Sequence, residues 1–173
     1  MKKIWFVLAL VMLLAGCARN NALETVTDVI DAPVISKMQK ILMQVPQELS
    51  SPVMQSENAG KLYVCDDYTV TVQIVESGDL EKTVRDATGM AKEELQILQT
   101  KQGDAKRYQW VWTANAETGI QVGRVCILDD GAYHYVLTAL TDEYLTEKVR
   151  ASWNEMFASF RLTEEREEIS IGS

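Results

Sequence analysis

Histidine is almost missing from this sequence: His134 is the only one in 173 residues. That excludes a histidine triad and any metal site built on several imidazoles. No Gly-rich phosphate loop, Cys-x-x-Cys pair or H-E-x-x-H stretch occurs, and no serine or cysteine sits in a nucleophile elbow. Basic residues are also in deficit, with 17 Lys and Arg against 25 Asp and Glu and a net charge of −8. A surface of that sign repels phosphate backbones, so nucleic acid is not an expected partner. Internal repeats and low-complexity tracts are absent. No catalytic residue, metal or cofactor is expected, and the chain reads as a non-enzyme.

The most informative stretch is residues 4–17, IWFVLALVMLLAGC, preceded by Lys2 and Lys3. Ile4 to Leu14 is an apolar run well short of the roughly 20 residues that span a bilayer as a helix. Small residues and a cysteine follow it. The arrangement resembles a bacterial lipoprotein signal peptide ending in the lipobox Leu14-Ala15-Gly16-Cys17. The resemblance implies that residues 1–16 are removed and that the Cys17 thiol carries a diacylglyceryl group. One acyl chain holds a protein at a membrane only marginally, and two hold it durably. The expected address is the outer face of the cell membrane. No later stretch is apolar enough to be a membrane span, so the membrane is a partner through the lipid alone. Loss of Lys2 and Lys3 makes the remaining chain two charges more acidic than the whole.

Three cysteines are present. With Cys17 lipidated, Cys65 and Cys126 remain, in a compartment that permits a disulfide. They are either bridged, closing a long loop, or two small buried hydrophobes that never meet.

Along the chain, residues 17–36 read as a polar tether and 37–163 as one globular domain. Residues 164–173 read as an acidic, frayed tail. Alternation predicts a first strand over Met38–Val45, stopped by Pro46, and a short one over Val53–Gln55. Lys61–Cys65 and Tyr68–Val75 read as a hairpin around Asp66-Asp67, with Thr69, Thr71 and Gln73 on a wet face. Ser77 or Asp79 caps a helix whose apolar stripe runs from Leu80 through Val84, Ala87 and Leu95 to Leu98, with Gly89 inside it. Gln99–Asp104 reads as its exit loop. Lys106–Thr113, Ile120–Leu128 and Ala132–Leu140 form an antiparallel meander, the second turn being Asp129-Asp130-Gly131. A second helix, capped by Thr141-Asp142-Glu143, carries Leu145, Val149, Trp153, Met156 and Phe157. Phe160–Leu162 extends into a last strand. The fold class is α+β: an antiparallel sheet of about six or seven strands with two main helices.

That order, with Tyr135-Val136-Leu137-Thr138 before the last helix and Ser159-Phe160-Arg161 after it, is similar to the PsbP/Mog1-like α/β sandwiches. The chain also resembles lipoproteins of Gram-positive anaerobes through Arg107-Tyr108-x-Trp110-x-Trp112 and Asp129-Asp130-Gly131-x-Tyr133-His134-Tyr135. Neither resemblance lends a catalytic residue. Together they imply a binding or accessory domain that takes an envelope protein or a small ligand.

The candidate ligand face is aromatic. Tyr108, Trp110 and Trp112 share one strand face, and Tyr133 and Tyr135 share another. If those faces coincide they make a platform for sugars, the basis of an alternative carbohydrate-binding or carbohydrate-active reading. Otherwise they are core layers under the helices. Asp66-Asp67 and Asp129-Asp130 could hold calcium only if their hairpin tips lie side by side. Turn chemistry explains them otherwise. His134, sharing a face with Val136 and Thr138, is expected to be a structural hydrogen-bonding group. Glu117 sits in a hairpin loop. Arg85, Arg107 and Arg124 could pair with acids across the sheet.

Overall fold

The computed structural model describes residues 38–49, 51–56, 60–116, 119–141 and 145–166. The segments read as signal peptide and tether, with Cys17, and Glu117 lie outside them. The strands are β1 (Gln39–Leu42), β2 (Met54–Ser56), β3 (Gly60–Val64), β4 (Thr69–Glu76), β5 (Leu98–Gln102), β6 (Ala105–Ala116), β7 (Gly119–Asp129), β8 (Tyr133–Thr141) and β9 (Arg161–Arg166). The helices are α1 (Leu80–Thr88) and α2 (Glu147–Ser159), with short 3-10 turns at Gln47–Leu49 and Lys92–Glu94. Seven strands make one antiparallel sheet in the order β2-β3-β4-β8-β7-β6-β5, and β1 pairs with β9 in a separate ribbon. The α+β class with two main helices is as expected.

Adjacent residues of a strand point to opposite faces, so the register decides which helix each one meets. Tyr135, Leu128 and Arg107 fall in one transverse row, and Val136, Ile127 and Tyr108 in the next. The first row faces α2. There Val149, Trp153, Met156 and Phe157, a stripe of helical spacing, pack on Val70, Leu137 and Tyr135. The second row faces α1, where Val84 and the chain at Leu95 and Ile97 cover Tyr108, Trp110 and Val125.

Several boundaries differ from the sequence reading. The first helix stops at Thr88, not near Leu98. Gly89 adopts φ 74°, a conformation that favours glycine, and its N–H closes on the Arg85 carbonyl at 2.7 Å. The Thr88 hydroxyl assists by bonding back to the Val84 carbonyl at 2.8 Å. Leu95 continues the helical spacing only by coincidence, since it reaches the core from extended backbone. Gln99–Asp104 is therefore no exit loop. Its first part belongs to strand β5, which pairs along β6 and makes the meander four-stranded.

The first strand is shorter than Met38–Val45 and joins β9 rather than the main sheet. The last strand in turn runs on to Arg166, where it pairs with Gln39, so the start of the acidic tail is strand. The second helix is capped by Thr146, whose hydroxyl accepts from the Val149 N–H at 3.2 Å, not by Thr141-Asp142-Glu143. Thr141 is instead the last residue of β8 and donates its hydroxyl to the Asp67 carbonyl.

Candidate functional site

The aromatic platform does not form. Tyr108 and Trp110 are buried and Trp112 is half-buried on the α1 side, while Tyr135 is buried and Tyr133 half-buried on the α2 side. The one-residue offset in register puts the two sets on opposite faces of the sheet. Tyr133 and Tyr135 meet edge to face at 6.3 Å between centroids. The Tyr135 hydroxyl donates to Asp130 at 2.9 Å and accepts from the Gln39 N–H at 2.8 Å, fastening β1 to the turn. It is a structural tyrosine, and burial beside the Asp130 carboxylate pushes its ionisation above the ordinary tyrosine value.

Cys65 and Cys126 are free. Cys65 follows the end of β3 and Cys126 lies on β7, with β4 and β8 between, a separation of about 14 Å across the sheet, and a disulfide needs Cα atoms within roughly 7 Å. Cys126 is fully buried, and that burial pushes its thiol up to about 11. The acidic hairpin tips likewise stay apart. Thr69 pairs with Leu140 at one end of β4 and Glu76 with Tyr133 at the other, so Asp66-Asp67 and Asp129-Asp130 occupy opposite ends of the sheet. The second pair does turn work: Asp129 accepts from the Gly131 N–H, and Asp130 from the Ala132 and Tyr133 N–H groups.

The arginines do not pair across the sheet with acids. Arg85 bonds Glu81 one turn back on α1. Arg124 lies over the Phe157 ring at 4.5 Å and donates to the Asn154 side chain. Buried Arg107 donates to the Phe157 and Phe160 carbonyls. Those carbonyls end α2, where the helix dipole is negative, so the cation is matched without a carboxylate.

A polar cluster on the α1 side centres on His134. His134 is 2% exposed. Its Nδ1 lies 2.8 Å from the Thr83 hydroxyl on α1, and its Nε2 lies 3.3 Å from the Ser77 hydroxyl in the turn entering α1. Asp129 stands 4.0 Å from the same Nε2. Among the described residues Nδ1 meets the Thr83 hydroxyl and no carboxylate, which is not the arrangement of an acid–imidazole–serine relay. Burial holds the imidazole below its ordinary value, against the pull of the Asp129, Asp130 and Asp79 carboxylates. The sequence marked His134 as structural but missed Thr83 and Ser77, which only the packing of α1 brings to it. A cleft of about 360 Å³ runs beside them between α1 and β4, lined by Gln73, Val75, Lys82, Thr83, Asp86 and Val136.

Among the described residues, no helix lies over the other half of the α1 side. Two transverse rows cross it. One is Met54, Leu62, Thr71, Thr138 and Val125; the other is Val64, Thr69, Leu140, Gly123 and Trp112. None of these ten residues is charged, in a protein of which 24% is charged. Met54 is 66% exposed and Val64 44%, and Leu62, Thr71, Thr138, Thr69 and Leu140 are half-exposed. Trp112 ends the second row by lying flat on Gly123, where a Cβ would come within 2.3 Å of its ring. The alternation of Thr69, Thr71 and Gln73 revealed the wet character of this face. That Met54, Leu62, Val64 and Leu140 align with it depends on the register.

No family model matches the chain, and neither does any curated protein. Among solved structures it is similar to the Saccharomyces cerevisiae Ran-binding protein Mog1p, at 14% identity, with 73% of this chain and 96% of that one covered and a TM-score of 0.49. It is also similar to a Bacteroides thetaiotaomicron protein at 12% identity, with 72% of this chain and 46% of that one covered and a TM-score of 0.48.

Proposed function

We propose that this chain is a lipid-anchored, non-enzymatic binding domain at the outer face of a cell membrane, of PsbP/Mog1-like order, held there through Cys17. The observation that carries the binding reading is the uncharged half of the sheet. In a protein of net charge −8, this partially exposed field of Met, Leu, Val and Thr is a surface an apolar partner could cover without desolvating charge. The two rows run across five strands, a breadth that suits a protein surface better than a small ligand. The partner is therefore an envelope protein presenting an uncharged, apolar patch. The lipid keeps both on one membrane.

The test combines two variants and a control in the native host. A photo-crosslinking residue at Leu62 should capture a protein, and Met54→Lys with Val64→Lys should abolish that capture. Val111→Lys, equally exposed on the other side of the sheet, should leave it intact. Equal capture in all three would refute the docking face. Separately, Cys17→Ser should release the protein from the membrane fraction, and unchanged retention would refute the anchor.

A further inference from the structure

We propose that His134 is an acid-operated fastening on α1, in which a proton arriving at Nδ1 turns the Thr83 hydroxyl from the imidazole to the Asp79 carbonyl. The argument is a count of hydrogens. Ser77 Oγ lies 3.3 Å from both His134 Nε2 and Asp129 Oδ1. Its single hydrogen goes to the carboxylate, because a charge-assisted bond is the stronger one. Ser77 then accepts from Nε2–H. A neutral imidazole has one N–H, so Nδ1 is bare and takes the Thr83 hydroxyl hydrogen over 2.8 Å. The Asp79 carbonyl keeps the Thr83 backbone N–H at 3.1 Å.

A second proton has only Nδ1 to occupy. Nδ1–H must then donate to Thr83, and the Thr83 hydrogen must swing to the Asp79 carbonyl, 3.3 Å away. Both states are fully bonded, so the ring can switch without leaving a polar atom bare, and the difference is felt in the first turn of α1.

The charged groups around the ring are Asp129 from β7, Asp130 from the turn and Asp79 from the cap of α1, all acidic. Lys106 lies beyond Asp129 at 3.9 Å, and Lys82 on α1 is occupied by Asp86. Strand β4 places Val75 beside the ring. The carboxylates draw the proton in while burial opposes it. The closed, protonated state stays fully bonded, but burial opposes its charge, so the ring takes its proton more readily once the start of α1 has lifted from it; acid therefore favours that opening, which moves one wall of the cleft on β4. This device is independent of the docking face.

Because His134 is the sole histidine, 15N-histidine labelling of the full chain in detergent reports this ring alone. Above neutral pH, the spectrum should show the hydrogen on Nε2 and a bare Nδ1. On acidification, backbone amides of Glu81 to Thr83 should shift with the same midpoint as the ring. Thr83→Ser should preserve both. Thr83→Val should uncouple the amides and lower the proton affinity of the ring about tenfold, since a charged donor loses more than a neutral acceptor. A hydrogen on Nδ1 in the neutral wild-type ring would overturn the proposal, as would amides in α1 that ignore the ring's titration.

Discussion

The two sides of one sheet are built differently here. On the α2 side, Trp153, Met156, Phe157 and Phe160 are essentially without solvent exposure, and Arg107 reaches across to tie off the helix end. On the α1 side, a nine-residue helix and a stretch of extended chain cover half the surface, and the covered half hides a histidine among hydroxyls. Dense apolar burial holds the first side shut. The second is held by a smaller apolar cluster and by the hydrogen bonds of His134 with Thr83 and Ser77. The difference suggests a division of labour under the proposals above: one face carries the stability, and the other is the one proposed to bind and to respond to acid.

The sharpest way to break that comparison is to empty each side in turn. Trp153→Ala should cost about 4 kcal/mol in urea unfolding, as large buried aromatics do. Arg107→Met should cost about 3 kcal/mol, because it keeps the bulk but leaves the Phe157 and Phe160 carbonyls without their donor. Val84→Ala, the matching truncation under α1, should cost only about 2 kcal/mol, close to the worth of the buried carbons removed. A Val84 variant as damaging as the Trp153 variant would erase the asymmetry.

Acid should sharpen it. The folded protein holds His134 below its ordinary 6.5, so under mildly acidic conditions the unfolded chain binds more protons than the folded one. Stability from this source is whole above about pH 6.5 and falls as the pH drops below that, until the folded ring itself is protonated. His134→Gln should flatten that fall in a urea series over the same range. Asp130 acts at lower pH. Burial works against its charge, but bonds from the Tyr133 and Ala132 backbone and from the Tyr135 and Gln39 side chains outweigh it and hold the carboxyl below 3.8. Its contribution is lost only as the pH falls toward that lower value. The smallest effect belongs to Met54→Lys, which should leave stability within about 0.5 kcal/mol because the side chain is exposed.

Periodicity carried much of this architecture. The hairpin at Asp66-Asp67, the long strands β6 to β8 and the stripe of α2 are all legible as alternation or helical spacing. The end of α1 was not, because Leu95 and Leu98 continue its spacing after Gly89 has turned the chain. The pairing of β1 with β9 was hidden for a different reason: it joins the two ends of the domain, and local pattern holds no record of distant partners. The candidate site suffered most. Tyr108 and Tyr135 look equivalent along their strands, and only the stagger between strands sends them to opposite faces. Thr83 and Ser77 carry no signal at all until α1 is laid across β8.

Amide hydrogen exchange on the full chain tests the division of labour most directly. Amides of Val149 to Phe157 in α2 should exchange only through global unfolding, with protection equal to the stability measured by urea. Those of Thr83 to Thr88 in α1 should exchange through a smaller local opening that widens on acidification. Equal protection of both helices at every pH would contradict the account.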